Sequence, residues 1–226
     1  MSDFIIVSFI IPKKKEGVFM NKILKELNAK TSEEILKNYG DDEKLPIDIV
    51  GIVRKIGIKL GCVDFSDLES KDDFKKMIEE KGHILGAVFP DGENINLLYR
   101  FDLCDNEDLK DLSDADKHDK LIKRQRFTIA HELAHCCLHA VDLTDYHIEY
   151  RTEQQNYTDE KERQANIFAG ELLIPKSIIV PLCAIAGDSG SVAMFADLFK
   201  VSRNVMKARL TYLLNNKEIE NIKFAL

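Results

Sequence analysis

An α+β fold, mainly helical with a small sheet, is what this 226-residue sequence predicts. Three patterns predict it. Phe127, Ala130, Ala134, Cys137 and Val141 recur at three- and four-residue spacing, which makes one apolar helix face. His83 to Phe89 and Ile95 to Tyr99 are strand-like, and the turn chemistry of Pro90-Asp91-Gly92-Glu93 between them predicts a hairpin. Val192 to Leu214 has helical spacing on both sides of Val201-Ser202 and resembles a helix-turn-helix.

The N-terminal residues follow a different pattern. Phe4 to Ile11 is an apolar run followed by Pro12 and Lys13 to Lys15, so its basic charge is on the wrong side for a secretory signal. A buried or added β-strand is one reading of that run. Lys15-Glu16-Gly17 can also be encoded as a purine-rich ribosome-binding sequence two codons before Met20, which makes Met20 the expected native start. Residues 1–32 are accordingly read as an N-terminal extension, 33–190 as the core, and 191–226 as a helical segment packed on that core.

From Met20 onward the punctuation is clear. Ile23, Leu24 and Leu27 fit one set of helical turns, and Ile35 and Leu36 a second, opened by a Thr31–Glu34 capping box and closed at Gly40. Ile47 to Ile56 reads as a further helix stopped by Gly57, and Phe74 to Ile78 as a short amphipathic piece. Asp102 to Asp119 is strongly acidic and reads as a solvated loop leading into the main helix. Asp142 to Thr158 reads as a loop over that helix, and its Tyr146, Tyr150 and Tyr157 are candidates to stabilise an oxyanion.

Composition narrows the functional classes. A net charge of −7 argues against a large nucleic-acid footprint. Lys200, Arg203, Lys207 and Arg209 are a modest basic set on such a chain, so the C-terminal segment is read as a packing or docking module. Five scattered cysteines without C-x-x-C spacing argue against a secreted disulfide framework, and Cys136 and Cys137 read as packing residues. No stretch reaches transmembrane length, and the expected location is cytoplasmic.

Chemistry concentrates in His131-Glu132-Leu133-Ala134-His135. Histidines four apart share one face of a helix, so both imidazoles reach one metal ion, and zinc is the ion this pattern suits. Glu132, one step round, stands beside the metal's open position, where a carboxylate can take a proton from water. Zinc requires a third protein ligand, for which His139, His147 and Glu162 compete. His139 lies about 12 Å along the axis from His131 and suits a helix-terminal or supporting role. His147 sits in no clear pattern. Glu162 falls on the apolar face of Ala165, Phe168, Ala169 and Leu172, where a carboxylate must be paired, with zinc or with an arginine such as Arg126. Asn166, one turn later, is a candidate to orient Glu162.

Three blocks in order resemble the ImmA/IrrE-type metallopeptidases: Arg126 to His135 with His139, Glu162 to Ala169 running into Glu171-Leu172-Leu173-Ile174-Pro175, and Leu198 to Ser202 followed by Arg209-Leu210. Leu45-Pro46-Ile47-Asp48-Ile49 is a weaker fourth. The resemblance implies a zincin-like core with zinc on His131, His135 and Glu162, and Glu132 as general base. It also implies a protein substrate, a helix-turn-helix repressor of a mobile element or stress regulon, cut to relieve repression. The rival reading is a non-catalytic zincin-fold partner in a toxin–antitoxin-like or regulatory pair.

Overall fold

The computed structural model describes residues 21–41, 44–103, 109–140, 143, 147–150 and 160–219. The apolar run at Phe4, the Met20 start, Tyr146 and Tyr157 lie outside them.

The N-terminal helices form where their caps dictate. α1 (Lys22–Leu27) starts at Asn21, whose side chain accepts from the Ile23 amide and donates to the Gly92 carbonyl at 3.0 Å. α2 (Ser32–Tyr39) has the expected capping box, with Thr31 and Glu34 each satisfying the other's backbone amide. In α3 (Ile49–Ile56), the Asp48 carboxylate caps the start and Gly57 ends the helix in the left-handed region at φ 93°.

β1 (Lys59–Val63) leads through α4 (Ser66–Glu69) and α5 (Asp72–Lys81) to the hairpin of β2 (Ile84–Asp91) and β3 (Asn94–Arg100). Asp91 pairs with Asn94, leaving Gly92 and Glu93 as a two-residue turn in which Gly92 takes φ 60°. β4 (His147–Tyr150) completes a four-stranded sheet in the order β1-β3-β2-β4, with β1 parallel to β3 and the other pairs antiparallel. The fold is thus α+β and mainly helical. Its sheet is wider than the hairpin that the sequence pattern predicts, because both outer strands join it.

The main helix, α6 (Asp114–Leu138), runs 25 residues. It starts within the acidic stretch read as a loop, where the Ser113 side chain accepts from the Asp116 amide and caps it. Asp114 and Asp116 in the first turn suit the positive end of the helix dipole, so acidity here marks a helix start. α6 packs on β2 and β3 and along α7 (Glu160–Leu173). α8 (Lys176–Ala186), a short turn at Gly187–Ser189, α9 (Val192–Phe199) and α10 (Arg203–Asn215) follow.

One apolar cluster unites Leu24 and Leu27 of α1, Ile129 and Leu133 of α6, Leu172 of α7, and Phe195, Phe199 and Leu210 of the C-terminal helices. The C-terminal helices are also held by charge. Arg209 is buried, donating to the Glu171 carboxylate at 3.1 Å and to the Ile174 carbonyl at 3.3 Å. Lys200, in the turn between α9 and α10, pairs with Asp119 of α6. Two of the four basic residues in this segment are therefore spent on internal docking. Among the described residues no single helix is long and apolar enough to cross a membrane.

Candidate metal centre

The C-terminal half of α6 is deeply packed. Every residue from Thr128 to Cys137 is buried, including both histidines and Glu132. Small side chains at Ala130 and Ala134 of α6, and at Ala165 and Ala169 of α7, are completely enclosed and let the two helices lie close together. That approach brings the first turn of α7 to the histidine face.

His131, His135 and Glu162 come together there. One ligand atom from each lies within 4.8 Å of the others. His131 Nε2 is 3.1 Å from His135 Nε2 and 3.1 Å from Glu162 Oε2, and His135 Nε2 is 3.5 Å from Glu162 Oε1. Ligand atoms about 2.0–2.2 Å from a tetrahedral zinc stand roughly 3.3–3.6 Å from one another; one observed separation lies within that range and two are slightly shorter, and the two-nitrogen, one-carboxylate set suits that ion. His131 is further oriented from behind: its Nδ1–H donates to Asn166 Oδ1 at 3.1 Å, which directs Nε2 toward the cluster. Asn166 thus supports His131, where the sequence reading assigned it to Glu162. The helical step from 162 to 166 shows only that the two residues share a face, and the packing of α7 on α6 decides which partner is reached.

Glu162 is 37% exposed, against 2% and 3% for the two histidine side chains. Its apolar-face assignment is therefore only half realised, since it stands where that face meets solvent. The alternative partner Arg126 points elsewhere, donating to the Lys200 carbonyl at 3.1 Å and to that of Phe199 at 3.5 Å.

Glu132 is fully buried beside β2. A Cβ added at Gly86 would meet Thr128 Cγ2 at 2.5 Å, the Leu98 carbonyl oxygen at 3.2 Å and Glu132 Oε1 at 3.2 Å. A bare glycine backbone is what allows the strand to lie this close to the carboxylate. The pairing of β2 with β4 also slips between Ile84 and Gly86, so the strand is irregular at this point. Nothing in the hydrophobic pattern of β2 marks Gly86, because its role depends on a helix more than forty residues away in sequence.

His139 ends α6 and directs Nε2 to the Lys161 carbonyl at 3.3 Å, a helix-terminal position as expected from its spacing. His147 and Tyr150 lie in β4. Cys136 and Cys137 are buried and are not part of the ligand cluster. Burial pushes the Cys136 thiol well above its ordinary value and the Cys137 thiol up to about 12, so both stay protonated and neither offers a thiolate to a metal. His83, read as a simple strand residue, instead faces Glu69, its Nδ1 3.1 Å from the carboxylate that also holds buried Arg100.

Residues 118–211 match the family model of the IrrE N-terminal-like domain, a peptidase family. Over that span the chain is similar to this family. The matched span contains the whole cluster, from α6 through α7, and extends into α10. No curated protein matches the chain. The match agrees with the ImmA/IrrE resemblance in the sequence and supports a peptidase-type activity.

Proposed function

We propose that this protein is a zinc-dependent metalloendopeptidase of zincin type, with His131, His135 and Glu162 as metal ligands and Glu132 as general base. The convergence of the two Nε2 atoms and the Glu162 carboxylate within 4.8 Å carries the reading. A bound zinc ion supplies Lewis-acid polarisation of a peptide carbonyl and acidifies water. The chain's own residues do the rest. His131 is held in register by Asn166. Glu132, enclosed between α6 and β2, takes the proton of the attacking water on its carboxylate and returns it to the leaving nitrogen. Glu162 completes the ligand set from the solvent side.

The substrate class follows from the family resemblance: a helix-turn-helix repressor, cut at one site to relieve repression. A net charge of −7 suits a basic DNA-binding partner. On this reading α9 and α10 form a helix-turn-helix-like module turned to internal packing, which the inward roles of Lys200 and Arg209 support. The rival reading, a non-catalytic partner protein with a structural metal, leaves the buried Glu132 without a task.

Metal content and cleavage of candidate helix-turn-helix repressors test the proposal together. Wild type should hold one zinc and cleave. Glu132→Gln should hold zinc without cleaving, and Glu162→Ala should lose both. Zinc retained by wild type with no Glu132-dependent cleavage would favour the partner-protein reading, and a wild type unable to bind zinc would remove the peptidase.

A further inference from the structure

We propose that His139 is a positioning residue for the third metal ligand: by donating from Nε2 to the Lys161 carbonyl, it fixes the first turn of α7 and so places Glu162 opposite His131 and His135. The inference rests on the metal-site reading above.

Glu162 lies on a different helix from the two histidines, and the chain between Leu138 and Glu160 is long. The position of Glu162 relative to α6 therefore depends on how α7 packs against α6 and on the ties between the two helices. Two polar ties bracket it. One is His131 Nδ1 to Asn166 Oδ1 at 3.1 Å, four residues after Glu162, and the other is His139 Nε2 to the Lys161 carbonyl at 3.3 Å, one residue before it.

The His139 ring is not required to end the helix. Its own backbone N–H already closes α6 on the His135 carbonyl at 3.0 Å. The side chain is nevertheless 9% exposed and stacked at a tilt of 49° on the His135 ring, with centroids 5.4 Å apart. Ring packing and the hydrogen bond together connect the second histidine to the backbone immediately before the carboxylate. His139 itself is outside the ligand cluster, which contains His131, His135 and Glu162. Its task is mechanical: it limits the motion of the α7 start, so that the carboxylate need not be ordered at the moment of metal binding.

Zinc affinity measured by competition with a chromophoric chelator tests this without any substrate. His139→Leu keeps a buried apolar side chain but removes the donor, and should raise the zinc Kd by about 10-fold, the lower end for losing a supporting contact. His139→Gln restores an N–H at similar reach and should recover most of that loss. Thermal unfolding of each metal-free variant establishes that it is folded, with Gln and Leu compared at equal stability. An unchanged Kd in His139→Leu, or a Gln variant as weak as Leu, overturns the inference while leaving the metal site intact. Loss of zinc stoichiometry in both His139 variants would make His139 a ligand and overturn the positioning role. A wild type that binds no zinc removes the site itself, and the inference with it.

Discussion

The two halves of α6 live in different environments. From Thr128 to Cys137 every residue is buried, the histidines and Glu132 included. From Asp114 to Phe127 the helix is mostly partly or fully exposed, and its charged residues dock the C-terminal helices. Lys123 binds Asp119 at 2.7 Å and Asp197 at 2.6 Å, Lys200 binds Asp119 at 3.0 Å, and Arg126 donates to the turn before α10. Close packing holds the candidate metal-binding half, and ion pairs and hydrogen bonds of partly buried cations hold the other. The lesson concerns tolerance: packing errors are felt at once in the first region, whereas water and salt compensate much of any loss in the second.

Substitutions along the helix should follow that difference. The largest effect is expected at Leu133, completely buried behind the histidine face, where Leu133→Ala should cost about 2–5 kcal/mol in denaturant unfolding. A loss below about 1 kcal/mol would mean that the buried half is looser than its packing implies. Gly86→Ala should cost about 1–3 kcal/mol, because its Cβ meets Thr128 Cγ2 at 2.5 Å. Adding Thr128→Ser removes that methyl group and should return much of the stability. Glu132 Oε1 would still be crowded at 3.2 Å, so cleavage by the double variant should stay below wild type even with full zinc content.

Arg126 marks the border between the halves. Its guanidinium is mostly enclosed, and burial pushes its pKa below the usual arginine value, with Asp48 opposing the shift. Arg126→Met should cost about 1–3 kcal/mol by leaving the Phe199 and Lys200 carbonyls without their donor. Further out, Lys123→Ala should cost no more than about 1 kcal/mol, and less as salt is added. A salt-insensitive loss there would end the contrast between the halves.

The smallest effect is one of pH. Hydrogen bonding to Lys123, then to Lys200, holds the Asp119 carboxyl below its ordinary value against the opposing effect of burial. A depressed carboxylate stabilises the fold above its unfolded pKa of about 3.9, and that stability is lost as pH falls through the folded value. Thermal midpoints measured from about pH 5 downward should therefore fall less steeply for Asp119→Asn than for wild type. An identical acid limb would assign no stabilising role to the Asp119 pairs.

Much of the fold was legible because it is written in local chemistry. The Thr31–Glu34 box, the left-handed cap at Gly57 and the Gly92 turn each involve residues a few positions apart, and each forms as its residue types require. The histidine spacing belongs to the same class, since one helix decides it. β1 was not legible. Lys59–Val63 is a short edge strand with no clean alternation, and what makes it a strand is parallel pairing with β3, which lies beyond two helices and β2 in sequence. The start of α6 was misread for a related reason: an exposed, charged helix segment shows no apolar stripe, and only its Ser113 cap announces it.

Sequence alone determined that two histidines and a glutamate share one helix, that a hairpin stands before it, and that Glu162 requires a partner. These depend on periods of two and 3.6 residues and on the cost of burying charge, all of which act locally. Tertiary structure alone decided which groups meet. It gave Asn166 to His131, set Gly86 against Glu132 and led His139 to the Lys161 carbonyl. Those contacts join residues far apart in the chain, and they exist because small side chains let α6, α7 and β2 pack closely.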